Sequence, residues 1–214
     1  MNESDTKQKL LDAAEALFAR EGYHRTSLRA ITGRAGVNLA AVNYHFGSKE
    51  SLLEAVFARR LIPLNEVRME KMQGVVRAAL DRGARPRVYD IMRAFIEPTL
   101  RFKETSPGAR DFIMLVARSF AEPDDTVRTI FHRLILPMLQ VMIDSLKEAL
   151  PDASETDLFW KLRFAMGSFV HTMLDVCDCD PIPESVRSHF EKDGGTEKMT
   201  EMLVKFVTAG IEAS

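Results

Sequence analysis

The chain has 214 residues, 46% of them apolar and 28% charged, which is typical of a globular protein and excludes a disordered one. Its two cysteines, Cys177 and Cys179, lie too close in sequence for ordinary disulfide geometry, which excludes a disulfide framework. The net charge is −2, yet residues 1–60 carry nine Lys and Arg against seven Asp and Glu. The N-terminal part therefore has the sign of charge that suits a polyanionic partner.

The sequence predicts a cytoplasmic protein with no membrane partner. The first residues, Met1 to Gln8, are mostly polar and lack the basic-then-apolar order of a signal peptide. The longest uninterrupted apolar run, from Phe112 to Ala117, has six residues. A membrane-spanning helix needs about 20.

Helical periodicity runs through most of the chain without convincing strand alternation, which predicts an all-α fold. Four N-terminal helices are predicted, over residues 6–21, 28–35 and 39–45 and from Lys49 onwards. Gly22 and Gly36 end the first two, because glycine tolerates the left-handed backbone that closes a helix. Ser27, Asn38 and Ser48 are predicted to cap the helices that follow them.

Five further helices are predicted, over residues 88–104, 107–121, 125–150, 155–177 and 196–210. Start signals precede two of them: Pro107 after Ser106, and the capping-box variant of Ser154 and Asp157. Pro63, Pro98 and Pro137 lie inside helical patterns, where proline removes a backbone donor and favours a kink or a break. Such prolines either bend or end helices around a core, or open room for a ligand.

Residues 27–45 have the shape of a helix-turn-helix, in which two short helices meet at Gly36. Apolar residues such as Ile31 and Val42 can hold this pair against the first helix. The second short helix then presents a small and polar surface, from which Asn43 can form paired hydrogen bonds with adenine. Donors to DNA phosphates surround it, namely Arg29, Tyr44, His45 and Lys49. The alternative is three short helices that only pack together.

Four sequence strings extend this motif: AAEALFAREGY over 13–23, TSLRAI over 26–31, AGV over 35–37 and NYHFGSKESL over 43–52. Together they strongly resemble the TetR family of transcription regulators, over about the first 57 residues. The resemblance implies a three-helix DNA-binding unit, residues 1–48, on a helical effector-binding and dimerisation domain, residues 49–214.

The resemblance also implies roles for individual residues. Base-reading positions fall on Asn38, Leu39, Ala40, Ala41 and Asn43, and backbone-contacting positions on Thr26, Arg29, Tyr44, His45 and Lys49. Most members have Leu-Tyr where this chain has Val42-Asn43, so Asn43 replaces a tyrosine often used against phosphate. The string from Val37 to Lys49 is similar to a subgroup that includes regulators of fatty-acid metabolism. That similarity implies a fatty acid or an acyl-CoA as effector.

Six residues are predicted to contact a hydrophobic small-molecule effector: Phe95, Phe102, Met114, Arg118, Phe131 and Phe164. Aromatic and methionine side chains can line an adaptable cavity, and at helical spacing they can equally fill a solid core. Arg118 shares a helical stripe with Arg110 and Met114. If the stripe faces a cavity, Arg118 pairs with a ligand carboxylate or phosphate; otherwise it is a solvated or interface arginine.

Two C-terminal helices are predicted to form a homodimer interface, and the family resemblance implies the same. Their apolar residues are Leu158, Leu162, Met166, Phe169 and Met173 in one helix and Val127, Ile130, Leu134, Met138 and Val141 in the other. Two such helices from each subunit can make a four-helix interface. A symmetric dimer would place its reading helices about one DNA turn apart, ~34 Å, on an inverted-repeat operator.

No metal, cofactor or catalytic residue is predicted. The spacing of six polar residues, His171, Asp175, Cys177, Asp178, Cys179 and Asp180, does not match a zinc site. The sequence has no recognisable nucleophile–base pair or phosphate-binding loop, so an enzyme is not predicted. It predicts a repressor that binds double-stranded operator DNA and is released by its effector. The alternative is an effector-independent DNA-bound scaffold whose C-terminal half binds a protein partner.

Overall fold

The computed structural model describes residues 3–102, 108–121, 125–176 and 195–213, together with Pro183 and Ser185. Over these ranges the regular structure is helical, which confirms the all-α prediction. In chain order the helices are α1 (Glu3–Glu21), α2 (Leu28–Ala35), α3 (Leu39–His45), α4 (Lys49–Leu80), α5 (Val88–Phe102), α6 (Ala109–Ala121), α7 (Asp125–Ala149), α8 (Glu155–Val176) and α9 (Gly195–Glu212).

Local sequence signals set most helix ends. Ser154 caps α8 as predicted, since its hydroxyl oxygen accepts the backbone N–H of Asp157 at 3.1 Å. Ser48 caps α4 in the same way, accepting the N–H of Ser51 at 3.0 Å. The first helix begins at Glu3 rather than at the predicted Thr6. The predicted start signal at residues 106 and 107 lies outside the described residues.

Pro63, Pro98 and Pro137 lie inside α4, α5 and α7, and each helix continues past its proline. These prolines therefore do not end their helices, and whether they bend the helices or open room for a ligand stays a prediction. Each proline still removes the N–H that would bond the carbonyl four residues earlier. The residues just after them, such as Thr99 and Met138, are buried. Tertiary packing therefore maintains the helices where local propensity would end them.

The described chain forms two compact units, and the first contains α1 to α3, α4 as far as Pro63, α6, and α7 as far as Ile135. Its core includes the fully buried side chains of Leu10, Phe18, Ile31 and Val42. Helix α1 packs against three other helices of this unit, α2, α3 and α6. The sequence predicted a DNA-binding domain over residues 1–48 and an effector-binding and dimerisation domain over residues 49–214. This functional boundary stays a prediction.

The second unit contains α4 from Leu64, α5, α7 from Leu136, α8 and α9. Helix α5 packs against α8 and α9, and the rings of Phe95 and Phe169 lie 5.2 Å apart between α5 and α8. Ion pairs add to this packing, because Arg93 of α5 binds Glu197 and Glu201 of α9. Both apolar and charged contacts thus connect α5 to its neighbours.

Helix α7 is long and apolar enough to cross a membrane by length and composition alone. Buried residues recur along it at helical spacing, among them Ile130, Phe131, Met138 and Met142. Charged residues such as Arg133 occupy exposed positions between them. Because one face is buried in the protein and the other is mainly polar, with Leu136 as an exposed apolar residue, α7 has the pattern of a core helix of a globular protein.

Candidate DNA-binding interface

The turn between α2 and α3 depends on a glycine. Gly36 adopts φ +67° and ψ +33°, the left-handed conformation in which a side chain is strained. Its N–H donates to the carbonyl oxygen of Gly33, which closes α2. At the other end of α2, the hydroxyl of Ser27 accepts the N–H of Ala30 at 3.1 Å. Both predicted signals are confirmed, and they fix the short helix that precedes α3.

Helix α3 begins at the predicted cap. The Oδ1 atom of Asn38 accepts the N–H of Ala41 at 3.0 Å, and Val42 is fully buried beneath the helix. This hydrogen bond uses one of the two lone pairs of the side-chain oxygen of Asn38, and the amide N–H groups remain available as donors to a base edge. The predicted base-reading role of Asn38 is therefore combined with a structural one.

The outer face of α3 consists of Leu39, Ala40, Asn43 and Tyr44, and all four are exposed. Tyr44 exposes 74% of its surface. Its neighbour His45 is half-buried, and the two rings meet edge to face at 5.1 Å. Small, apolar and amide groups thus lie side by side on one short helix, as major-groove reading of base edges requires.

Two basic residues flank this face. Arg29 projects from α2 and is exposed. The ammonium group of Lys49, at the start of α4, lies 4.2 Å from the centre of the Tyr23 ring. A cation held over an aromatic ring is attracted to the face of the ring, which restricts its position. Both side chains suit contacts with DNA phosphates, and these roles stay predictions.

The hydroxyl of Thr26 has a structural role. The side chain is buried, and its hydroxyl donates to the carbonyl oxygens of Gly22 and Leu17, at 2.8 and 3.3 Å. The hydroxyl therefore secures the turn between α1 and α2 and does not face outward. A phosphate contact by Thr26 through its backbone N–H, as at the N-terminus of a helix, stays a prediction.

An acidic residue lies at the edge of the outer face, because the hydroxyl of Tyr44 donates to Glu3 at 3.1 Å. This hydrogen bond, with the negative charge of Glu3, raises the pKa of the Tyr44 phenol. If Tyr44 contacts phosphate, Glu3 competes for its hydroxyl and repels the DNA.

We therefore expect Glu3→Ala to strengthen DNA binding about two- to fivefold, because it removes a competing acceptor and one negative charge at an exposed position, where such effects are small. Fluorescence anisotropy on a labelled duplex measures the affinity. Asp81→Ala, at an exposed position after α4, is the matched control for loss of one carboxylate. Equal affinities of the Glu3→Ala protein and the wild type would contradict the proposed competition.

The six predicted effector contacts divide between the two units. Met114, Arg118 and Phe131 belong to the first unit, whereas Phe95, Phe102 and Phe164 belong to the second. Phe131 and Phe95 are buried, each within 6 Å of another aromatic ring. Phe102 and Met114 are half-buried. Phe164 is 68% exposed, which corrects its expected place in a cavity, because it lies on the outer face of α8.

Arg118 lies beside the end of α1. One of its guanidinium nitrogens is 3.8 Å from the position that a Cβ atom would occupy on Gly22. A cation at this place interacts favourably with the partial negative charge of a helix C-terminus. This position is compatible with a structural role within the first unit, and pairing with a ligand stays a prediction.

The predicted dimer stripe of α8 faces the protein's own core. Leu158, Leu162, Phe169 and Met173 are all buried within the chain, so their assignment to the interface is wrong. The same holds for Val127, Ile130 and Met138 of α7. The exposed aromatic residues of α8 are Phe159, Trp160 and Phe164, and the rings of the last two stack at 6.2 Å. Helix α9 adds the exposed Met202 and Phe206.

Two buried sites that contain charged side chains were not predicted from the sequence. In the first unit, Glu15 of α1 binds Arg59 and Arg60 of α4. In the second, Arg68 of α4 is buried beside Thr99. The spacing of Leu64, Arg68 and Met72 was the available signal for the latter, because it places an arginine between two buried apolar residues on one helix face.

The polar cluster around Cys177 lies largely outside the described residues, and His171 is exposed on α8. Within the described part of the chain, no group of three or more His, Cys, Asp and Glu residues is placed to hold a metal ion.

Comparisons with known proteins agree on one family. A family profile described as "Bacterial regulatory proteins, tetR family" matches residues 10–56, and one described as "Tetracyclin repressor-like, C-terminal domain" matches residues 93–210. The transcriptional regulator SrpR of Pseudomonas putida is 40% identical over 60 residues, which are 28% of each protein. The chain thus spans less than a third of the length of this curated relative.

Two solved structures extend the likeness to the whole fold. The fatty acid degradation regulator FadR from Bacillus halodurans has a TM-score of 0.68 and 13% identity, over 95% of this chain and 98% of its own. FadR from Bacillus subtilis, in complex with stearoyl-CoA, has a TM-score of 0.64 and 14% identity, over 96% of this chain and 99% of its own. The matching families and curated relatives are transcription regulators and not enzymes. The second profile alone spans more than half of the chain, so this protein belongs to the TetR family of bacterial DNA-binding transcription regulators.

Proposed function

We propose that the chain is a cytoplasmic repressor that binds an inverted-repeat operator as a homodimer and is released by a hydrophobic small molecule. The observation that carries the proposal is the exposed outer face of α3, held on a buried three-helix core with both helix caps in place. Membership of the TetR family supports the same role for this face.

A second copy of the chain is the proposed occupant of the exposed face of α8 and α9. Monomeric proteins rarely expose several large aromatic residues together. Trp160 and Phe164 of α8 are one helical turn apart, as are Met202 and Phe206 of α9. Gly167 and Gly210 continue these two rows, and among the described residues no atom beyond the glycine's own helix lies within 4 Å of either Cβ position. Glycines of this kind let a partner helix approach closely.

The proposed effector is a fatty acid or an acyl-CoA. Support comes from the similarity of the α3 region to regulators of fatty-acid metabolism, and from the fold that the chain shares with a regulator in complex with stearoyl-CoA. Ligand and DNA then compete through a coupling free energy, for which about 1–3 kcal/mol is typical.

We expect Asn43→Ala to weaken binding to the operator by about 1–3 kcal/mol, roughly five- to 150-fold, and to leave binding to random DNA unchanged. The reason is that Asn43 is exposed on α3 and its amide can pair with a base edge. Lys49→Ala is the complementary variant and should weaken binding to both DNAs alike, because a phosphate contact carries no sequence information. Lys71→Ala is the control for loss of one positive charge, because Lys71 is exposed on α4 and lies far from Lys49 in the sequence.

Anisotropy titrations of these variants on operator and random duplexes, with and without decanoate, palmitate and palmitoyl-CoA, test the proposal. Specific binding that an acyl compound releases supports it in full. Specific binding that none of them releases supports the alternative, a DNA-bound scaffold for a protein partner. Equal loss on both DNAs for Asn43→Ala contradicts base reading by α3.

A further inference from the structure

A buried arginine in the second unit has no acidic partner within the described part of the chain. Arg68 lies on α4, only 5% exposed, between the buried Leu64 and Met72. Its guanidinium donates to Asn65 at 2.9 Å and to the hydroxyl of Thr99, and both acceptors are neutral. The Nε–H group, also buried, has no hydrogen-bond acceptor among the described residues.

The positive charge of this guanidinium remains at neutral pH. Burial lowers the pKa of Arg68 to about 9, and no carboxylate counteracts that effect among the described residues. Other partly buried arginines differ, because Arg59 binds Glu15 and Arg93 binds Glu197. A buried charge is stable when it is paired, whereas an unpaired one destabilises the fold. Arg68 is therefore a cation whose counter-ion is not supplied by the described part of the chain.

The surroundings of Arg68 suit a molecule with an apolar body. The guanidinium carbon lies 4.6 Å from the centre of the Phe95 ring, and Phe95 in turn lies 5.2 Å from Phe169. One helix, α5, thus supplies both an aromatic surface, Phe95, and a polar group, Thr99, one turn apart. The arrangement places the Nε–H donor, which has no acceptor among the described residues, close to aromatic carbon.

We propose that Arg68 is the anchor for the carboxylate of an apolar effector, whose hydrocarbon part lies against Phe95 and Phe169. A carboxylate matches the planar donor geometry of a guanidinium and can bind two of its N–H groups at once. Thr99 and Asn65 hold the guanidinium in orientation. This inference rests on the proposed function as a ligand-responsive regulator. It narrows the proposed effector to a free acid, because an acyl-CoA thioester has no carboxylate at the end of its acyl chain.

Isothermal titration and thermal unfolding of the full-length protein test this proposal, with sodium octanoate, decanoate and palmitate as probes and their primary amides as neutral matches. We expect the wild type to bind at least one acid and to bind its amide far more weakly. Arg68→Met should weaken acid binding about 30-fold or more, since it removes one partner of a buried charge pair. Without ligand, its Tm should equal or exceed that of the wild type, because a buried unpaired charge has been replaced by an apolar side chain of similar length.

Arg77→Met, at an exposed position on the same helix, is the matched control and should bind the acids as the wild type does. The proposal is overturned if no acid binds the wild type, if acid and amide bind equally, or if Arg68→Met retains acid binding. The comparison of acid and amide needs only wild-type protein, so it decides the question even if Arg68→Met does not fold. Operator binding is measured separately: release of operator by a neutral compound would leave the proposed function intact and remove only the role of Arg68.

Discussion

Replacing Glu15 by alanine is expected to destabilise the protein by about 3–5 kcal/mol, the cost typical of breaking a buried ion pair. Glu15 is only 2% exposed. Its Oε2 atom accepts hydrogen bonds from Arg59 at 2.8 Å and Arg60 at 3.1 Å, and its Oε1 atom accepts a second one from Arg60 at 3.0 Å. Without the carboxylate, two guanidinium groups lose their shared partner, although Arg59 retains Asp12.

This cluster fixes α1, against which the DNA-reading helices pack, to α4 within the first unit. Gly108, just before α6, lies over it with φ +85°, and a Cβ atom there would be 2.7 Å from Oε1 of Glu15. The cluster therefore has no room for a side chain at that position. Loss of Glu15 should loosen the support of α2 and α3, and operator affinity should fall together with stability.

Urea unfolding at one fixed protein concentration measures the effect, because the stability of a dimer depends on concentration. Glu15→Gln keeps a hydrogen-bond acceptor and loses the charge, so its destabilisation should be intermediate. Lys9→Ala removes the exposed ion pair with Asp5 and should cost at most about 1 kcal/mol. If Glu15→Ala lowers the free energy of unfolding no more than Lys9→Ala does, the cluster of Glu15, Arg59 and Arg60 does not stabilise the first unit.

Replacing Phe164 by aspartate is expected to dissociate the proposed dimer. The side chain is 68% exposed, as is that of Phe206 on α9. In a two-fold symmetric interface each substitution occurs twice. With about 2 kcal/mol for each buried aromatic contact, the dimer should weaken by roughly 4 kcal/mol, or about a thousandfold. Operator affinity should fall too, because a monomer engages only one half-site.

Sedimentation equilibrium at several concentrations gives the dissociation constant directly. Leu80→Asp is the matched control, since Leu80 is an exposed apolar residue at the end of α4 and not on α8 or α9. The face of α8 and α9 is not a dimer interface if Phe164→Asp and Leu80→Asp have the same oligomeric state as the wild type.

Features decided by neighbouring residues were predictable from the sequence. The caps at Ser27, Asn38 and Ser154 form hydrogen bonds three residues along the chain, so the amino-acid pattern specifies them. The left-handed turn at Gly36 follows for the same reason, because only glycine adopts it without strain. These local signals placed the helix-turn-helix correctly, and with it the exposed outer face of α3.

Features decided by distant residues were not predictable in this way. Glu15 and Arg59 are 44 residues apart, and only the packing of α1 on α4 brings them together. For α8, periodicity indicated the helix correctly and its outward face wrongly. Apolar residues occur on both sides of α8, and the sequence alone does not say which side, that of Leu158 or that of Phe164, meets the protein's own core.

Selection from a random duplex library by the full-length protein shows whether α3 reads a symmetric DNA sequence. We expect enrichment of one inverted repeat whose half-site centres lie about one helical turn apart, ~34 Å or somewhat more. Asn43→Ala should lose the preference at the base pairs that Asn43 contacts while retaining the repeat's symmetry. Enrichment of a site without two-fold symmetry, or no enrichment over several rounds, would contradict this expectation.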